Sequence, residues 1–248
     1  MKAKAIVLPR ENTPSSQISE KGWDTLVKSS RKVGNNFEIE RFDAITPDTM
    51  QEPLRDLEEK GIRWNYPFEG SEIDFKSGLV KKAYFGDRAN RISCFLSHYA
   101  LWEECANQDE IYLILEHDAV FINPLETELL IGNPEMTRIV GINDPHGATR
   151  RARHFHDRIQ NRNGGVPGVY VMGVPIIDRP EIPQGLAGNS AYLMTPSAAN
   201  EMLTLTQIYG MWPNDALMCY QLMRGALKVS LRYYTRVQGL QSTTVWQR

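Results

Sequence analysis

The chain has 248 residues, of which 42% are hydrophobic and 23% charged, with a formal net charge of −2. That balance excludes a disordered or fibrous chain and predicts a soluble globular protein with one sizeable α/β core. No run of about 18 apolar residues occurs, so no transmembrane helix is expected. The apolar stretch 5–8, ended by Pro9, is too short for a secretion signal. The three cysteines, Cys94, Cys105 and Cys219, form no CxxC pair, which argues against a disulfide framework or a cysteine zinc site. A reducing cytoplasm is the expected compartment.

The small net charge conceals an asymmetry. Residues 1–145 sum to −8 and residues 146–248 to +6, with no acid after Asp215. An acidic and a basic half within one chain suggest an anionic partner for the basic face, unless the halves interleave in space and the fields cancel.

In chain order, residues 3–8 read as a buried strand, residues 18–33 as a helix stopped at Gly34, and residues 37–45 as an alternating strand. Strand, helix, strand is a βαβ opening, hence an α/β fold. Residues 48–60 read as a helix, and the polar segment to residue 90 as long loops. Residues 91–107 have an apolar side of Ile92, Phe95, Leu96, Tyr99, Ala100 and Trp102, predicting a core helix. The all-apolar strand 111–115 runs straight into Glu116-His117-Asp118. Residues 138–142 read as a strand, and residues 143–168 as an irregular, mobile, arginine-rich loop. A strand at 191–194, a helix opened by Pro196, a helix at 215–223 and a strand at 228–234 complete the expectation.

Absent motifs narrow the chemistry. No two glycines are separated by a single residue, so GxGxxG is impossible. A Gly-Lys pair, GxSxG and HExxH are also missing. The strongest positive feature is the apolar strand that delivers Glu116 and Asp118. The carboxyl ends of strands are where open α/β sheets bind ligands. Two carboxylates, two residues apart on extended backbone, share a face and suit Mg²⁺ or Mn²⁺. Acids flanking a core strand without any metal are equally common.

The segment Cys94-Phe-Leu-Ser-His98-Tyr-Ala-Leu-Trp102, followed by Leu113-Ile-Leu-Glu116-His-Asp118, resembles glycosyltransferase family 25, which includes lipooligosaccharide galactosyltransferases and phage-encoded relatives. Gly188-Asn-Ser-Ala-Tyr192-Leu and Pro213-Asn-Asp215 resemble the family's downstream elements. Arg91 and Ser93 stand where the family usually carries an acid and a glycine. The resemblance implies a single GT-A-like domain over residues 1–248, with a mainly parallel sheet flanked by helices. Residues 1–145 would form the acidic nucleotide-sugar half and residues 146–248 the basic acceptor half.

It further implies a UDP-sugar donor, Mn²⁺ or Mg²⁺ held by Glu116 and Asp118, donor contacts from Leu8, Arg10 and His98, and Asp215 and Asp118 in catalysis. Asp215 as a helix cap and His98 as a core residue are the plain alternatives. For the acceptor, Arg150, Arg151, Arg153 and Asn189 are the candidates. The +6 half leans the expectation towards hydroxymethylcytosine in phage DNA. Lipooligosaccharide is the close alternative, and a non-enzymatic anion- or sugar-binding module the rival class.

Overall fold

The computed structural model describes residues 1–83, 86–149, 151–163 and 167–240. The chain opens with strand β1 (Lys2–Val7), helix α1 (Pro14–Lys32), strand β2 (Ile39–Asp43) and helix α2 (Gln51–Glu59). A hairpin of β3 (Ser71–Ile73) and β4 (Val80–Lys82) precedes the long helix α3 (Arg88–Ala106). Then come β5 (Tyr112–Glu116), β6 (Ala119–Phe121), α4 (Thr127–Ile131), β7 (Ile139–Gly141), α5 (Ala152–Asn163) and β8 (Val171–Gly173). The chain continues with β9 (Ala191–Met194), α6 (Pro196–Tyr209), α7 (Asn214–Leu217), β10 (Leu227–Ser230) and β11 (Thr235–Val237).

The central sheet has seven strands in the order β2-β1-β5-β9-β7-β10-β8. β1 is parallel to both β2 and β5, and β7 is parallel to β10, while β9 and β8 run antiparallel to their neighbours. The expected mainly parallel sheet flanked by helices is present. β9, from the basic half of the chain, lies between β5 and β7 of the acidic half. The two halves therefore interleave in one sheet.

Side chains alternate across a strand, so each strand feeds two cores. Tyr112 and Ile114 of β5, with Tyr192 and Met194 of β9, enter the core that also holds Phe95, Trp102 and Met202. Leu113, Leu115, Ala191 and Leu193 enter the opposite core with Leu26. The first face is covered by α3 and α6, which pack against each other. Both sides of β5 are buried, which is why its sequence is a continuous apolar run. α3 starts where Asp87 caps it, its carboxylate accepting from the backbone N–H groups of Ala89 and Asn90 at 2.9 and 3.1 Å.

Three expectations need correction. The stretch 143–168 is not all irregular: α5 occupies much of it. That helix buries Phe155 and Ile159 at i,i+4 spacing, and its other positions are mostly polar. Residues 46–90 are not merely loops after α2, because β3 and β4 pair there. The helix expected at 215–223 stops at Leu217. Beyond it the Tyr220 N–H donates to the Gln184 carbonyl at 2.9 Å instead of continuing the helical ladder.

That crossing explains Gly185. A Cβ there would lie 2.1 Å from the Asp215 backbone oxygen, so only glycine lets the 185 segment lie against α7. Gly185→Ala is expected to lower unfolding stability by about 1–3 kcal/mol, the usual cost of overpacking, as read from the urea midpoint. Unchanged stability would mean that the two segments separate freely.

Candidate active site

Residues 112, 114 and 116 share one face of β5, and that face looks towards α3. Glu116, the last residue of the strand, therefore emerges beneath His98. The His98 Nε2 lies 3.2 Å from the Glu116 carboxylate, its Nδ1 lies 2.9 Å from the Tyr192 hydroxyl, and Trp102 Nε1 donates to that hydroxyl at 3.0 Å. The donor inventory orders the chain. An ionised carboxylate only accepts, so Nε2–H donates to Glu116. Nδ1 is then an acceptor for Tyr192 O–H, whose oxygen takes the Trp102 N–H. Every polar atom in this buried run is paired. Burial alone raises the Glu116 pKa, but the His98 hydrogen bond and the neighbouring imidazoles outweigh it, so the carboxyl is held below its usual range.

β5 ends at Glu116, and His117 and Asp118 form a turn into β6. The two-residue spacing on extended backbone expected for Glu116 and Asp118 is thus replaced by a strand end and a turn. The His117 N–H donates to Ile6 O at 3.0 Å, which ties the turn to β1. Burial lowers the His117 pKa. Gly22 of α1 admits the turn, since a Cβ there would meet the His117 carbonyl at 2.7 Å. Asp118 is pushed up to about 7, first by burial and then by the Glu116 charge. Its Oδ1 is buried with no hydrogen-bond partner among the described residues.

The loops before β9 and α7 supply the rest. The Glu116 N–H donates to the Ser190 carbonyl at 2.8 Å, which places residue 190 beside the end of β5. Asn189, Ser190 and Asn214 are 8%, 3% and 7% exposed, and each has a buried side-chain polar atom without a partner among the described residues. Cys94 Sγ lies 4.0 Å from Asn214 Oδ1. Asp215, in the first turn of α7, is pushed up to about 6 by burial first and then by the charge of Glu116. A buried polar group without a partner costs free energy, so each of these calls for one.

A cleft of ≈ 590 Å³, partly open to solvent, lies between the ends of β1 and β2 and the start of α3. Its walls include Leu8, Ile45, Ser93, Ser97, His98 and Glu116. Cys94, His98 and Glu116 bring candidate ligand atoms within 4.8 Å of one another. Both His98 nitrogens already have protein partners, and burial pushes the Cys94 thiol well above its usual range, so it stays protonated. This trio is a hydrogen-bonded support and a poor metal site. Glu116 and Asp118 offer the oxygen donors that a hard divalent cation takes, and Asp118 Oδ1 is buried with no partner among the described residues.

Three of the other candidates pair with acids. Arg10 is exposed and pairs with Glu20 at 3.4 Å, and it is not among the residues lining the cleft. Arg151 pairs with Asp178 at 2.8 Å, Arg153 approaches Asp157 at 3.9 Å from an exposed position, and Arg150 lies outside the described residues. Tyr192, Trp102 and Asn214 were not singled out from sequence for the site. Apolar helical spacing made Trp102 look like simple core, and only the alternation of β9 against α3 could have suggested the Tyr192 contact.

The sequence model of glycosyltransferase family 25 (LPS biosynthesis protein) matches residues 14–165. The chain belongs to glycosyltransferase family 25. No curated protein matches it in sequence. Among solved structures, this family 25 chain is similar to the galactosyltransferase LgtC in complex with donor and acceptor sugar analogs, at 13% identity over 92% of this chain and 73% of that one, with a TM-score of 0.42. It is similar to mouse xyloside xylosyltransferase 1 in its apo form, at 9% identity over 92% and 84% of the two chains, with a TM-score of 0.43. A third similar structure is GalNAc-T7 with UDP, GalNAc and Mn²⁺, at 14% identity over 98% and 46%, with a TM-score of 0.43.

Tyr192→Phe removes the hydroxyl that joins Trp102 to His98 and leaves two buried groups unpaired. It is expected to cost about 1–3 kcal/mol in a denaturant titration. A neutral effect would show that the two groups find other partners.

Proposed function

We propose that this family 25 protein transfers a sugar from a UDP-sugar to a glycan hydroxyl with the help of a divalent cation. The observation that carries this reading is that burial and the Glu116 charge together raise both Asp118 and Asp215, while Asn189, Ser190 and Asn214 are buried with polar atoms unpaired among the described residues. The cleft at the head of α3 receives the nucleoside, with Leu8, Ala44 and Ile45 as its apolar wall. Asn189, Ser190 and Asn214 offer amide and hydroxyl groups of the kind that bind sugar hydroxyls. Asp215 removes the acceptor's proton: a carboxyl with a pKa near 6 is ionised at neutral pH and still basic enough to accept a proton as the new bond forms.

Glu116 and Asp118 would hold Mn²⁺ or Mg²⁺, which supplies positive charge against the diphosphate leaving group. His98 keeps Glu116 oriented and ionised. Family membership, with its lipopolysaccharide description, favours a glycan acceptor. The DNA reading rested on the basic half, but Arg151 and Arg232 pair with Asp178 and Glu126 at 2.8 and 3.0 Å. Pairing of that kind leaves fewer arginines free for phosphates. No helix among the described residues is long and apolar enough to cross a membrane.

The test is UDP release from a panel of UDP-sugars with Mn²⁺, followed by transfer to oligosaccharide or hydroxymethylated DNA acceptors. Asp215→Asn is expected to lower turnover by about 10²–10⁴-fold, the usual contribution of a general base, with donor affinity little changed. Wild-type turnover should fall at acid pH as Asp215 becomes protonated, with a midpoint below about 6 once bound metal offsets the Glu116 charge. Absence of donor hydrolysis and of transfer across the panel would overturn the reading, and transfer to DNA alone would replace the glycan acceptor.

The metal site has its own pH signature. Metal displaces the proton on Asp118, so Mn²⁺ affinity should rise with pH up to about 7 and then level off, as followed by electron paramagnetic resonance. Asp118→Asn should abolish that binding. The native-state pKa is raised above its unfolded value, so the carboxyl's contribution to stability declines as pH rises from about 4 to 7. The Asn variant without metal should therefore melt higher than wild type above pH 7. A variant that melts lower and still binds Mn²⁺ would remove Asp118 from the site.

A further inference from the structure

Gln238 follows directly on β11 and gathers the turn that carries His117 and Asp118. Its backbone N–H donates to the Asp118 carbonyl at 2.8 Å. Its side-chain Nε2 donates to the carbonyls of His117 at 3.2 Å, Ala119 at 2.9 Å and, on α1, Gly22 at 2.9 Å. An amide nitrogen carries two hydrogens, so these three acceptors share them. One residue thus engages three consecutive carbonyls of the turn and ties them to α1.

Gln238 is itself held in place. β11 pairs antiparallel with β6, with Thr235 opposite Phe121 and Val237 opposite Ala119, a register that sets Gln238 opposite Asp118. β11 is also tied to the segment after β7. The Asp144 N–H donates to the Thr235 carbonyl at 2.8 Å, and the Thr235 hydroxyl donates to Asn143 Oδ1 at 3.2 Å. Two residues beyond Gln238, Leu240 lies over Gly22, where an added Cβ would meet Leu240 Cδ1 at 3.0 Å.

Each peptide unit is planar, so only φ and ψ remain free at a residue. Fixing the carbonyls of His117, Asp118 and Ala119 fixes those angles at Asp118, and with them the direction of its side chain. Asp118 Oδ1 is buried with no partner among the described residues, so no bond at that oxygen orients the carboxyl. The backbone has to do so.

We propose that Gln238 is a positioning residue, which sets the divalent-cation affinity of the site by fixing the turn that presents Asp118. This rests on Glu116 and Asp118 being the oxygen donors to the cation, as proposed above. Groups that orient a metal's ligands commonly contribute about 10–100-fold to its affinity.

The test follows Mn²⁺ binding by electron paramagnetic resonance in the wild type, Gln238→Met and Gln238→Asn, at a temperature where melting curves show each one folded. Methionine keeps the length and loses the side-chain donors, while asparagine keeps the amide on a shorter arm. Gln238→Met is expected to weaken Mn²⁺ binding by about tenfold or more, and Gln238→Asn by less. Arg236→Ala, at an exposed position of β11, should bind Mn²⁺ as the wild type does. Without metal, hydrogen exchange at the His117 amide, which donates to Ile6 O, should quicken in Gln238→Met more than at the core amides of β5. A purely structural glutamine would lower the melting point and leave the Mn²⁺ affinity unchanged, and that result overturns the proposal. Failure of both variants to fold overturns it too, by making Gln238 a determinant of the whole fold. If the wild type itself binds no Mn²⁺, the cation site falls and the proposal with it. Tight binding by the wild type and Gln238→Met alike removes the proposal alone.

Discussion

The hydrogen-bonded run from Trp102 through Tyr192 and His98 to Glu116 is the constraint on which the site depends. It joins α3, β9 and β5, three elements distant in sequence, through side chains that are nearly all buried. A buried polar network stabilises only when every member is satisfied, and this one is satisfied in a single direction of donation. It fixes the ring orientation of His98 and keeps the Glu116 carboxyl ionised against the cost of burial. The strand parity that puts Tyr192 and Ile114 in one core also puts Glu116 on that face. Core packing and site geometry are thus one arrangement.

Beyond Glu116 the electrostatics change character. Asp118 and Asp215 both feel the Glu116 charge on top of burial, and both sit well above the ordinary range for an aspartate. Under the proposed function a cation and a hydroxyl-rich ligand would relieve both penalties, since added positive charge would lower the carboxyl pKa values and sugar hydroxyls would pair the amides. Gly22 and Gly185 show the backbone side of the same investment, as two close approaches that a methyl group would forbid hold the turn after β5 and the start of α7 in place.

What could be read from the sequence followed burial. β5 was legible because both its faces are buried, and α3 because its apolar positions recur at helical spacing. The strands β6, β8 and β11 are three residues each, too short for any periodicity, and their existence depends on partners far along the chain. α5 was missed because only Phe155 and Ile159 anchor it, so its arginines dominated the reading. In the site, Glu116, Asp118 and Asp215 were visible as acids near strand or helix ends. The support from Tyr192 and Trp102 was not, since pairing across β5 and β9 decides it.

Charge was the least transferable signal. The +6 half pointed to an extended anionic acceptor, yet β9 of that half lies inside the acidic half's sheet, and Arg151 and Arg232 meet acids within 3.0 Å. A summed charge cannot distinguish a paired guanidinium from an orphaned one. Arg91 lies in the acidic half, yet among the described residues its Nε and Nη1 are buried and unpaired. Recognition of an anion depends on where a cation is desolvated and unopposed, because a paired arginine at the surface gains little from a second anion, whereas a buried unpaired one gains a great deal.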